Sequence, residues 1–217
     1  LARRMENKRE NLSLSSSSSL SPDEEFVIPL PQGLTLYPYQ KVGVKFISKN
    51  KNVLIADEMG LGKTIQLLAY LNINENIKKV LIVCPASLKL NWEREAKRWL
   101  VRPFNIIVYD GDLDGGLDIK DDTILIINYE GVRKYADLLK TVMWDLLVLD
   151  ESHYIKNPKA QRTKVITGYR DRQTGTIIKG LKDFAKQKVL LTGTPVLNNP
   201  AEIYTQLKVL GHPLAKS

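Results

Sequence analysis

The chain has 217 residues, enough for one ordinary domain or at most two small ones. Its 43% hydrophobic content and mean hydropathy of −0.20 exclude a wholly disordered chain, and no apolar run approaches the roughly 18–20 residues that a membrane span needs. A net charge of +8 and a pI near 9.4 point to a polyanionic partner without identifying it.

The first stretch, LARRMENKRE, is charged and lacks the apolar core of a secretory signal. With Cys84 as the single cysteine, an internal disulfide framework and a cysteine-cluster metal site are excluded, and the expected compartment is reducing and intracellular. Residues 1–25 contain SLSSSSSLSPDEE, few apolar anchors and many serines, and are expected to form a disordered tail. FVIPLPQG (Phe26–Gly33) is expected to be extended, because each proline restricts the residue before it to β or polyproline geometry. Pro38 suits the first turn of a helix, with Val42, Phe46 and Ile47 following on one side.

A pattern then repeats. Short apolar runs alternate with amphipathic helices: NVLIA (Asn52–Ala56), VLIVC (Val80–Cys84), NIIVY (Asn105–Tyr109), ILIIN (Ile124–Asn128), LLVLD (Leu146–Asp150) and VLLT (Val189–Thr192). Continuous apolarity, rather than alternation, means burial on both faces, as in a parallel sheet covered by helices. The expected helices are Thr64–Asn72, Ser87–Leu100, Tyr129–Lys140, Lys159–Thr167 with Leu181–Ala185, and Pro200–Leu210. In the second of these, Leu88, Trp92, Ala96 and Trp99 recur at helical spacing, and Ser87 is the expected N-cap. The fold class is therefore α/β, a mostly parallel sheet with helices on both faces. The acidic, Gly-rich Asp110–Asp122 reads as a surface loop, since its spacing does not match a calcium-binding hand. YRDRQTG (Tyr169–Gly175) reads as an inserted loop or hairpin punctuated by Gly168 and Gly180.

Three segments carry chemistry. ADEMGLGKT (Ala56–Thr64) follows a strand and opens a helix, the setting of a phosphate-binding loop. Glu58, Met59, Gly60, Leu61 and Gly62 would wrap phosphate with backbone N–H groups. Lys63 would meet the β/γ phosphates, and Thr64 would offer a hydroxyl to Mg²⁺. The general pattern GxxxxGK[ST] is broken at its first glycine, where Asp57 stands. LLVLDESH (Leu146–His153) delivers two acids at a strand's carboxyl end, where open α/β sheets bind ligands. Asp150 would hold Mg²⁺, and Glu151 would orient or deprotonate the attacking water. LLTGTP (Leu190–Pro195) ends a strand in Thr192, Gly193 and Thr194, whose hydroxyls can hydrogen-bond an acid or a backbone phosphate.

In this order the three segments resemble the Swi/Snf family of superfamily-two helicase-like ATPases. LYPYQKVGVKF (Leu36–Phe46) resembles the segment before the phosphate loop, and ADEMGLGKTIQ resembles motif I, Asp57 included. VLIVCPASLKLNWEREAKRW (Val80–Trp99) is similar to motif Ia, IINYEGV (Ile126–Val132) to motif Ib, DESHYIKN (Asp150–Asn157) to motif II and LLTGTPVLNNPAEIY (Leu190–Tyr204) to motif III. The DESH form and short spacing look most like the annealing-helicase (HARP-like) branch and its viral and bacterial relatives. The resemblance implies a RecA-like P-loop NTPase lobe over residues 26–211, with ATP and Mg²⁺ as cofactors and duplex DNA, bound without sequence preference, as partner. It implies that Gln40 contacts adenine, and that His153, Thr192, Gly193 and Thr194 couple the nucleotide to the nucleic-acid groove. It also places Ser87, Lys89, Asn128 and Tyr129 near the strand backbone. The family needs a second RecA-like lobe with an arginine finger, and this chain stops after the helix following motif III. The expectation is one lobe of a longer DNA-dependent ATPase, itself inactive or weak, working in the nucleus of a eukaryote or the nucleoid of a prokaryote.

The charge has an address. Between Lys156 and Lys188 there are ten basic residues and two acids, so this stretch holds the whole net charge of +8. It begins just after DESH and ends at the last strand, and is expected to leave and return to the ligand-bearing edge. Lys156, Asn157, Lys159 and Arg162 are the expected nucleic-acid contacts within it. A solvated helix face is the bland reading of such a run. Two other functions stay open on the residues alone: a module that binds DNA or a partner without hydrolysis, and a small-molecule P-loop kinase, disfavoured because no lid or acceptor pocket is apparent.

Overall fold

The computed structural model describes residues 26–113, 116–193 and 200–215, and in it the six apolar runs pair into one sheet. The strands are β1 (Asn52–Ile55), β2 (Lys79–Cys84), β3 (Asn105–Val108), β4 (Thr123–Asn128), β5 (Trp144–Leu149) and β8 (Ala185–Leu191). Their order is β1-β8-β5-β2-β4-β3, and every neighbouring pair is parallel. The helices are α1 (Pro38–Lys49), α2 (Lys63–Ile73), α3 (Lys89–Trp99), α4 (Tyr129–Lys134), α5 (Ala136–Leu139), α6 (Gln161–Thr167) and α7 (Pro200–Leu210). The expected tail, residues 1–25, lies outside the described residues, and so does Thr194.

Burial on both faces explains the unbroken apolar runs. In β2, Val80, Ile82 and Cys84 pack with Leu67, Leu71, Trp92 and Ala96 on one side. Leu81 and Val83 pack with Tyr129, Val132, Ile166 and Leu181 on the other. Each such side chain contributes roughly 1.5–3 kcal/mol on burial, so the strands are fixed by their composition more than by their turns. Cys84 is fully buried, and burial first, then the nearby Asp150 carboxylate, pushes its thiol up to about 12. It is a packing residue rather than a reactive one.

Several boundaries differ from the sequence reading, each for a local reason. Ser87 does not cap its helix: a 3₁₀ turn, Ala86–Leu88, precedes α3, whose N-cap position is Leu88 and has no side-chain cap bond. The expected helix over Tyr129–Lys140 breaks at Tyr135, where φ −112 and ψ 27 leave the helical well, giving α4 and α5. The helix after DESH begins at Gln161 rather than Lys159, because the Asn157 side chain accepts from the Lys159 N–H at 2.9 Å and holds a turn there. Leu181–Phe184 is a 3₁₀ turn, closed by Asp183 Oδ2 accepting from the Gly180 N–H at 2.9 Å.

The insertion is a hairpin: β6 (Tyr169–Arg170) pairs antiparallel with β7 (Ile177–Ile178). Its base needs two glycines facing each other. Gly168 has φ +70, and a Cβ there would meet Ile178 O at 2.5 Å. A Cβ on Gly180 would meet Gly168 N at 2.2 Å and Ile166 O at 2.4 Å, both backbone atoms that side-chain rotation cannot clear. Gly180→Ala is expected to cost about 1–3 kcal/mol, as overpacking does. At about 2–4 °C per kcal/mol for a domain of this size, thermal unfolding followed by circular dichroism should fall by several degrees.

The basic stretch is corrected by topology. β8 runs parallel to β5, pairing Trp144 with Ala185 and Leu149 with Leu190. The connection therefore leaves the sheet at its carboxyl edge and re-enters at its amino edge. It does not return to the ligand-bearing side. Lys156, Lys159 and Arg162 stay near the carboxyl edge. At the other end, Lys186 pairs with Asp145 at 2.7 Å at the start of β5, and Lys188 begins the register opposite Asn52. Burial, and then the like charges of Lys182 and Lys51, lower the pKa of Lys188.

Candidate functional site

β1, β8 and β5 are neighbours, so their carboxyl ends place the three chemistry-bearing segments side by side. The Thr192 N–H donates to Ile55 O at 3.0 Å, tying the end of β8 to the end of β1. The Asp150 N–H donates to Val83 O at 2.8 Å, so Asp150 continues β5 by one residue against β2.

The loop after β1 turns on glycines. Gly60 and Gly62 have φ of +86 and +75, conformations that cost an ordinary side chain but not glycine. Lys63 opens α2 and is 9% exposed. Its ammonium donates to Asp57 O at 2.8 Å and Glu58 O at 3.0 Å, two of the three bonds an ammonium can make. Asp57, which breaks the general phosphate-loop pattern, accepts from Gln66 Nε2 at 3.1 Å. That bond fastens the loop to α2. Gln66 is fully buried, and a Cβ on Gly43 would lie 1.9 Å from its Oε1, so a glycine in α1 is what lets α2 lie this close.

Gln40 is 4% exposed and holds the loop from the other side. Its Oε1 accepts from the Tyr37 N–H at 3.0 Å, and its Nε2 donates to Leu61 O at 3.3 Å. A Cβ on Gly62 would meet Nε2 at 2.4 Å, so the loop's second glycine is required by contact as well as by φ. Thr64 is half-buried in the first turn of α2, beside Lys63. Met59 projects from the loop, 78% exposed, yet its Cγ lies 2.5 Å from where a Cβ on Gly193 would stand. The same point is 3.7 Å from Lys63 Nζ. Gly193 thus lets the turn after β8 close onto the loop, with Thr192 buried beneath it at 1% exposure.

Asp150 is 6% exposed. Trp92 Nε1 donates to its Oδ2 at 2.8 Å, and the Glu151 N–H donates to its Oδ1 at 2.9 Å. Burial raises its pKa; those two hydrogen bonds and the Lys63 charge work in the opposite direction. Glu151 has φ 49 and ψ 54, the left-handed region that a non-glycine residue occupies at a cost of about 1–3 kcal/mol. Its Oε2 lies 3.2 Å from His153 Nδ1. Among the described residues no group of three or more His, Cys, Asp or Glu could hold a metal by itself. One buried carboxylate close enough to feel the Lys63 charge suits Mg²⁺, which takes few protein ligands and keeps substrate oxygens and waters.

The expected nucleic-acid residues fall into distinct places. Ser87 is exposed in the turn before α3. Lys89 donates to Tyr109 O and lies 5.3 Å from that ring's centre. Asn128 caps α4, accepting from the Gly131 N–H at 3.2 Å. Tyr129 is corrected: at 1% exposure it offers no surface to a strand, and its hydroxyl donates to Asp150 O at 2.8 Å. Its ring stacks on Tyr154 at 5.2 Å, and the Arg162 guanidinium lies 5.6 Å from the Tyr154 ring. Lys156, Asn157 and Lys159 are exposed. A cleft of about 400 Å³ between α4 and α6 is lined by Tyr129, Glu130, Arg133, Ala160, Gln161 and Arg162. Sequence reasoning missed Arg133 and the roles of Gln66, Trp92 and Tyr129. Arg133 stands five residues past Asn128 in a short helix, and nothing in the local sequence marks it.

Comparison with known proteins gives four findings. The sequence profile of the SNF2-related domain matches residues 39–217. The chain is 36% identical over 181 residues to a Caenorhabditis elegans SWI/SNF-related matrix-associated actin-dependent regulator of chromatin subfamily A-like protein 1 homolog, covering 82% of this chain and 24% of that protein. It is 35% identical over 196 residues to the Arabidopsis thaliana CHD3-type chromatin-remodeling factor CHR7, covering 81% of this chain and 15% of that protein. Among solved structures it is similar to the Sulfolobus solfataricus SWI2/SNF2 ATPase core in complex with dsDNA, with a TM-score of 0.69 and 25% identity over 84% of this chain and 37% of that one. The chain thus spans about a quarter or less of these curated relatives.

Proposed function

The chain belongs to the SNF2-related family, and on that premise we propose that it is the first ATP-binding lobe of an ATP-dependent DNA translocase or remodeller. The observation that carries the reading is the meeting of Lys63, Asp150 and Gly193 at three adjacent strand ends. That is the arrangement for holding a triphosphate and its metal. Lys63 and the N–H groups of residues 58–64 bind the phosphates, while Gln40 hangs the loop and would meet adenine by giving up its bond to Tyr37 or Leu61. Asp150 and Thr64 hold Mg²⁺, which when bound neutralises charge on the phosphate oxygens. Glu151 orients the attacking water and accepts its proton. His153, Thr192, Gly193 and Thr194 relay the state of that site to the DNA surface.

The partner is duplex DNA, held through phosphates by Ser87, Lys89, Asn128, Lys156, Asn157, Lys159 and Arg162, without base readout. The solved relative holds dsDNA and supports this choice. A second RecA-like lobe supplies the arginine finger and completes the ATP site. Among the described residues no helix is long and apolar enough to cross a membrane. The proposed place of work is the compartment that holds the cell's DNA. The test is duplex-stimulated ATP hydrolysis by the full-length protein and by this lobe alone. Stimulation in the full-length protein supports the reading; its absence there returns the lobe to a non-hydrolysing binding module.

Charge placement makes a further prediction. Reversing Lys156, Lys159 and Arg162 to glutamate should weaken duplex binding and flatten its dependence on log salt by about one unit per lost phosphate contact. Reversing Arg170 and Arg172 on the hairpin should leave that slope alone. Fluorescence anisotropy over a salt series separates the two. Equal slopes for both triple- and double-charge variants and the unmodified protein sink the assignment.

A further inference from the structure

Two buried aromatic side chains hold Asp150. Trp92 donates its indole N–H to Oδ2 at 2.8 Å, and Tyr129 donates its hydroxyl to the carbonyl oxygen at 2.8 Å. Both rings are essentially inaccessible, at 0% and 1% exposure. Neither the buried carboxylate, bonded by Trp92, nor the buried carbonyl, bonded by Tyr129, can exchange its donor for water, so the positions of the two rings set the position of Asp150.

The two donors belong to different elements, and both elements start at the proposed DNA surface. Trp92 is three residues after Lys89 in α3, one helical turn from the end that carries Ser87 and Lys89. Tyr129 directly follows Asn128, the residue that caps α4. A displacement of either helix start by a phosphate contact is carried rigidly to a hydrogen bond on Asp150, because less than one turn of helix intervenes. The Tyr129 ring also stacks on Tyr154, which lies under Arg162, so the third proposed contact segment reaches the same ring.

We propose that Trp92 and Tyr129 are positioning residues that convey DNA occupancy to the metal-binding acid, making the Mg²⁺ affinity of the nucleotide site depend on DNA. The proposal rests on the function proposed above. It differs from a packing role in its consequence. Packing changes alter stability; loss of these donors uncouples two ligands that each still bind.

The experiment uses the full-length protein, with Tyr129→Phe and Trp92→Phe. Tyr129→Phe removes one hydroxyl and keeps the ring, so it remains informative even if Trp92→Phe fails to fold. Mg²⁺ is titrated against binding of a fluorescent ATP analogue, with and without a blunt duplex, and DNA affinity is measured separately. In the unmodified protein the duplex should lower the Mg²⁺ midpoint. In the variants DNA affinity should hold while that shift shrinks, about tenfold or more for Trp92→Phe, which loses a hydrogen bond to a charged group, and about threefold to tenfold for Tyr129→Phe, which loses one to a neutral carbonyl. Variants that keep the full shift, or lose only thermal stability, overturn the proposal. An unmodified protein whose hydrolysis ignores DNA overturns the underlying function instead.

Discussion

Glu151→Gln in the full-length protein will lower ATP turnover by about 10²–10⁴-fold, the span associated with a positioned general base, while ATP binding persists. The substitution keeps size, hydrogen-bonding reach and backbone, and removes only the ability to accept a proton. The backbone makes the case sharper. Glu151 sits at φ 49 and ψ 54, and the one other described non-glycine residue with positive φ is Asp122, which enters β4 at the opposite, amino edge of the sheet. A side chain held in this region is kept there by its surroundings at a local cost. Glu151→Gly relieves that cost, so it should abolish turnover without lowering the melting temperature. Turnover by Glu151→Gln equal to the unmodified rate would remove Glu151 from the chemistry and leave its strain without a purpose.

Lys63→Ala has the second large effect, and this chain alone suffices to measure it. The ammonium is 9% exposed and bonded to two loop carbonyls, Asp57 O and Glu58 O. Its removal deletes a charge from the phosphate site and releases both carbonyls. Truncating one member of a buried, hydrogen-bonded charge pair costs about 2–5 kcal/mol, which is roughly 30-fold to several-thousand-fold in affinity. Alanine is the best helix former, and Lys63 is the first residue of α2, so the fold should survive. Calorimetry with ATP should register little or no binding, and circular dichroism should be unchanged. Normal ATP affinity in this variant sinks the phosphate-loop assignment.

Much of this was legible in the sequence because it depends on composition along single strands. Val80 to Cys84 reads as a buried parallel strand since both of its faces are apolar, and both faces are covered. The turn after β1 was legible because glycine at positions 60 and 62 has a backbone reason, and both have positive φ. Other features needed the third dimension. Trp92 reads as one apolar residue of a helical stripe, and periodicity does not reveal that its indole N–H reaches a carboxylate 58 residues away. Tyr129 was expected at the DNA surface because it stands next to Asn128, yet side chains one residue apart on a helix point in different directions. The Ser87 cap failed because the chain first makes a 3₁₀ turn over Ala86–Leu88, which moves the helix start to Lys89. The return of the basic stretch to the ligand edge failed on direction alone: a strand parallel to β5 must be entered from the opposite end.

That direction also limits what the net charge can do. β8 is seven residues long, and at about 3.3 Å per residue it separates its two ends by roughly 20 Å. The screening length at physiological salt is about 8 Å. Lysines at the start of β8 and those beside Asn157 are thus more than two screening lengths apart and contribute to separate fields. An isoelectric measurement adds them together, whereas a phosphate at the carboxyl edge feels only the nearer group. The basic stretch is thus divided between the two edges of the sheet, and a phosphate at the carboxyl edge would feel chiefly the lysines beside Asn157.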